Sequence, residues 1–62
     1  MENTYLVTFI IFNKDNTTSV NSFHVTAKDE AKAKLYADFT IFSHFFDRGP
    51  IPRYEIDSVV LV

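Results

Sequence analysis

The sequence predicts a small α+β domain of order ββαβ, its three strands forming an antiparallel or mixed sheet in the order 2-1-3 with one helix on one face. Three observations carry this. Two segments rich in aromatic and β-branched residues flank a polar turn cluster, the stretch from Asp29 to Asp47 has neither Gly nor Pro and repeats apolar residues at helical spacing, and "YEIDSVVLV" closes the chain.

The first strand, "TYLVTFIIF" at 4–12, is apolar at nearly every position. Successive strand side chains point to opposite faces. One face therefore takes Tyr5, Val7, Phe9 and Ile11, and the other Leu6, Thr8, Ile10 and Phe12, with Thr8 the lone interruption. "NKDNTTS" at 13–19 supplies turn-forming side chains. "VNSFHVT" follows as a second strand, with Asn21, Phe23 and Val25 on one side and Val20, Ser22 and His24 on the other, which reads as an antiparallel hairpin.

A helix is predicted over 29–47. Thr26 and Asp29 have capping-box spacing, and Asp29 is alternatively the N-cap itself. Glu30 and Lys34 form an i,i+4 pair in the favourable order. Ala31, Leu35, Phe39, Phe42 and Phe46 fall on one stripe, the expected core face, with Ile41 and Phe45 widening it and Tyr36 on the other flank. Gly49 and Pro50 stop the helix. The prolines of "PIPR" keep the connection extended. The last strand then places Tyr54, Ile56, Val60 and Val62 on one side and Glu55, Asp57, Val59 and Leu61 on the other.

A right-handed crossover from the second strand through the helix favours a third strand parallel to the second, on the far side of the first. The first strand is then central. One helix covers only one face, expected to hold Val7, Phe9, Ile11, Phe23, Val25, Tyr54, Ile56 and Val60. The uncovered face would show Leu6, Ile10, Phe12, Val20, His24, Val59 and Leu61, with Glu55 and Asp57 at one rim. Exposed apolar patches of several hundred Å² usually mark interaction surfaces.

Composition narrows the function classes. The 62 residues, 47% hydrophobic and 16% aromatic, suit one ordered domain near the lower limit for an unstapled core. With no cysteine, disulfides and thiolate zinc sites are excluded, in keeping with a cytoplasmic location. A net charge of −2 argues against neutralising phosphates, and Lys28, Lys32 and Lys34 sit on the polar opening of the helix, away from the aromatics, so a nucleic-acid partner is not expected. The N-terminal apolar run lacks the basic start and small-residue cleavage site of a signal peptide, and no segment is long enough to span a membrane.

No catalytic, metal or cofactor site is expected. His24 and His44 have no partners at ligand spacing. Ser43, His44 and Asp47 supply triad residue types, yet neighbours on a helix point about 100° apart, which misaligns nucleophile and base. Glu55 and Asp57 read as a solvated rim. The expected function is protein binding, through Leu6, Ile10, Phe12, His24, Glu55 and Asp57 of the open sheet face and through Tyr36 and Phe45 as aromatic anchors of the helix. Homodimerisation by stacking two sheets about 10 Å apart is the expected self-association.

The element order, the Leu35-Tyr36 pair and the ending Ile56-Asp57-Ser58-Val59-Val60 resemble small phage-encoded inhibitors, nearest the uracil-DNA glycosylase inhibitors of small Bacillus phages. The aromatic helix is longer than in that family, and "RGPIPR" is inserted. The resemblance implies a dimerising inhibitor of a host or defence enzyme, acting in the host cytoplasm with acidic groups and an apolar side chain that fills the enzyme's pocket. An accessory structural homodimer is the alternative.

Overall fold

A computed structural model describes residues 2–62. Strand β1 (Asn3–Phe12), strand β2 (Thr18–Ala27), helix α1 (Glu30–Phe46) and strand β3 (Arg53–Leu61) follow in that order. The sheet runs β2-β1-β3, and both outer strands are antiparallel to β1, so β2 and β3 run parallel to each other across it. The expected order and the central place of β1 hold.

The hairpin turns where polar side chains replace the ladder. Asn13 donates its backbone N–H to the Thr17 carbonyl (2.9 Å), and Asp15 Oδ1 accepts from the Thr17 hydroxyl (2.6 Å) and backbone N–H (3.2 Å). These bonds hold the Asp15 carboxyl below its ordinary value, the hydroxyl contributing most. Asn16 takes a positive φ of 69°, a conformation asparagine tolerates better than most residues.

Asp29 is the N-cap of α1. Its extended backbone leaves Oδ1 free to accept the Lys32 N–H at 2.8 Å, which fills one of the helix's unpaired donors. Asp47 is the C-cap, and Gly49 adopts a φ of +106°, a region that disfavours any residue with a Cβ.

Two sequence expectations are overturned. The helix does not bury its aromatic stripe: Ala33, Ala37 and Ile41 face the sheet, while Leu35, Phe39, Phe42 and Phe46 are exposed, Phe39 at 72%. The reason is volume. The sheet face beneath already carries Tyr5, Phe9, Phe23 and Tyr54 with Val7, Val25, Ala27 and Ile56, so only a small-residue stripe lets the helix approach closely. Val7 at the centre is fully buried, which contributes about 1.5–3 kcal/mol.

Strand β3 also departs from strict alternation. Phe9 pairs with Ile56 but Thr8 with Ser58, so Asp57 is an extra residue in a β-bulge. The parity of β3 inverts beyond it. Val59 pairs with Val7 and packs on the core, while Val60 pairs with Leu6 on the open face, the reverse of the strict alternation expected.

The inverted helix makes an asymmetric prediction for urea denaturation. Ala37→Leu overpacks the buried stripe and should destabilise by about 1–3 kcal/mol, whereas Ala31→Leu, on an exposed position, should stay within about 0.5 kcal/mol. Asp29→Ala should remove about 1 kcal/mol through the lost cap.

Candidate functional site

Opposed residues of antiparallel strands share a face, so the register assembles the open side of the sheet row by row. Leu6 lies between His24 and Val60, Thr8 between Ser22 and Ser58, Ile10 between Val20 and Glu55, and Phe12 between Thr18 and Arg53. Among the described residues no second layer covers them, since the one helix lies on the other side. Leu6, Ile10 and Phe12 are half-buried by neighbouring side chains, and Val20 and Val60 are 66% and 53% exposed. The Thr8 row divides the surface into two apolar parts.

Charge sits at one end of this face. The Arg53 guanidinium lies 5.2 Å from the centre of the Phe12 ring, a cation–π contact, and its Nη2 is 3.8 Å from Glu55 Oε1. Both charged side chains are well exposed, so the ion pair adds little stability. Its effect is to hold a balanced charge pair beside the aromatic end of the patch.

The eight expected contact residues divide among separate surfaces. Leu6, Ile10, Phe12, His24 and Glu55 come together on the open face. Asp57 is the bulge residue of the β3 edge. Tyr36 lies across the molecule, exposed on the flank of α1. Phe45 is half-buried where the C-terminal half of α1 and the sheet enclose a cleft of about 580 Å³, walled by Phe9, Ile11, Phe23, Ile41 and Phe45. The Phe9 and Phe23 rings meet edge-on in that wall, their centroids 5.6 Å apart.

His44 borders this inner cleft, whereas Ser43 and Asp47 border a depression on the outer face of the helix. The three triad residue types are therefore not brought together. The outer depression, framed by Phe39, Phe42, Phe46 and those two polar residues, is formed by the aromatic stripe expected to face the core. A signal for it was present: Ala33, Ala37 and Ile41 form a second stripe at i, i+4 and i+8, small enough to lie against an aromatic-rich sheet.

The Tyr54 hydroxyl donates to Asp38 Oδ1 at 3.4 Å and ties β3 to the middle of α1. Desolvation raises the Tyr54 pKa above its ordinary value of 10.0, and the facing Asp38 carboxylate raises it further. A raised folded-state pKa stabilises fully below the unfolded value and loses that contribution as pH climbs through the folded one.

No known protein family, curated protein or solved structure matches the chain. Among the described residues no helix is long and apolar enough to cross a membrane.

Titrating tyrosinate absorbance in the folded chain should reveal a component that ionises above the ordinary tyrosine value, and Tyr54→Phe should remove that component. An unchanged curve in the variant would detach the late component from Tyr54.

Proposed function

We propose that the chain is a non-catalytic protein-binding module that works by surface contact through the open face of its sheet. The observation that carries this reading is the composition of the outward positions of β1. Antiparallel sheets with one solvated face ordinarily turn polar residues outward. Here three of the four outward positions from Leu6 to Phe12 are large and apolar, with Val20 and Val60 extending the patch sideways. A flat apolar surface with an Arg53–Glu55 pair at its end suits a protein partner, which can bury the centre and leave the charges at a hydrated rim.

In its specific form the module is an inhibitor of an enzyme, with Leu6, Ile10 and Phe12 as the contact centre and Glu55 and Asp57 as acidic rim groups. The phage-inhibitor resemblance supports this form, and the absence of cysteine from the chain suits action in a reducing cytoplasm. A structural homodimer is the second reading, favoured by the aromatic outer face of α1. Base stacking on the open face is disfavoured, since Arg53, the guanidinium on that face, already faces Glu55 and Phe12.

Affinity capture from a lysate of the source organism tests the reading. The parent chain should retain one discrete heterologous protein, and Ile10→Asp should weaken its retention about tenfold or more, as burial of a charge in place of an apolar anchor requires. Equal capture by the two chains, or recovery of the bait alone, would overturn the proposal.

A further inference from the structure

The outer face of α1 contains a hole of the kind that receives a side chain from a facing helix. Phe39, Phe42, Ser43 and Phe46 stand at i, i+3, i+4 and i+7 and frame the outer depression together with Asp47. Four residues in that relation form the socket of knobs-into-holes packing. Leu35 extends the row, and positions 35, 39, 42 and 46 are spaced four, three and four apart, the seam of a left-handed helix pair. Among the described residues none of this seam belongs to the core: Leu35, Phe39, Phe42 and Phe46 are 58%, 72%, 46% and 65% exposed.

We propose that this face is the interface between two copies of the chain, paired helix against antiparallel helix, with Phe39 of each copy entering the socket of the other. The charge pattern selects the occupant and its direction. Lys32 and Asp47 flank the seam on the same side at opposite ends of α1. Antiparallel pairing centred between Phe39 and Phe42 brings Lys32 of one copy towards Asp47 of the other, whereas parallel pairing leaves the two at opposite ends of the helix pair. Asp47 also sits at the helix C-terminus, where the dipole disfavours a carboxylate, and antiparallel pairing supplies the positive end of a second helix there.

Size agrees. With large aromatics each presenting about 150–250 Å², the exposed seam and Tyr36 offer on the order of 600 Å² per chain. Two copies would bury about 1,200 Å² in total, the lower bound for a specific interface. A membrane surface fits less well, because Asp38 and Asp47 flank the seam in a chain of net charge −2. The proposal is independent of the open sheet face as a partner surface.

Sedimentation equilibrium on the full chain is the first test. The parent should have twice the chain mass, Phe39→Asp the single mass with unchanged helicity by circular dichroism, and Ile10→Asp the parental mass. A Phe39→Asp chain that keeps the parental mass overturns the proposal, as does a monomeric parent, including one that sediments with phosphatidylglycerol vesicles. Direction is read on chains that keep Phe39. Tyr36 and Ser43 lie on the same flank, and the native chain has no cysteine to interfere. Mixing Tyr36→Cys with Ser43→Cys under mild oxidation should give the mixed disulfide, with neither variant linking to itself. Self-linked products alone would overturn the antiparallel arrangement.

Discussion

The approach of α1 to the sheet governs the rest of the architecture. Tyr5, Phe9, Phe23 and Tyr54 crowd the inner face of the sheet, so a helix bearing leucine and phenylalanine on its inner side would be held away and leave voids between the layers. Ala33 and Ala37, both without exposed surface, remove that obstacle, and Ile41 continues the inner stripe at the next turn, where it walls the cleft that opens towards Phe45. Dense packing comes from large residues on one layer meeting small ones on the other. Once the alanines face inward, helical periodicity leaves Leu35, Phe39, Phe42 and Phe46 nowhere to go but outward. The aromatic outer surface is thus a geometric consequence of the crowded sheet.

The sheet meets a related constraint. A thin molecule, 41 × 21 × 14 Å, with one helix has two broad surfaces and little interior. β1 is central and hydrogen-bonded on both edges, so its outward residues are half-shielded by their neighbours even without a covering layer. The bulge at Asp57 adds a further effect. By inverting the parity of β3 it moves Val59 into the core and sends Val60 out beside Leu6, in the row that also holds His24.

Much of this was legible in the residues. Turn chemistry at Asn13–Thr17, the Asp29 cap and the Gly49-Pro50 stop set the element boundaries to within a residue or two, because each depends on local backbone requirements. The strand order followed from chain connectivity. The orientation of the helix did not, since two apolar stripes were available and the larger one was taken for the core; only the volume already occupied on the sheet decides between them. The bulge was equally hidden, because alternating β3 from Tyr54 onwards gives no sign that one residue will be skipped. Five of the eight expected contact residues share one surface, while Tyr36 and Phe45 required the helix orientation to be known first.

The two edges of the sheet are not equivalent. β3 carries Arg53, Glu55 and the bulged Asp57, features that discourage another strand from docking alongside. β2 has none of them: from Thr18 to Ala27 it contains no charged residue, no proline and no bulge, and it pairs with β1 in unbroken register. Ten residues of regular backbone therefore face outward with one side of their peptide groups unclaimed. When heat or acid loosens the helix, fibril growth would start along this margin, and a single lysine at an outward position such as Val20 would blunt it.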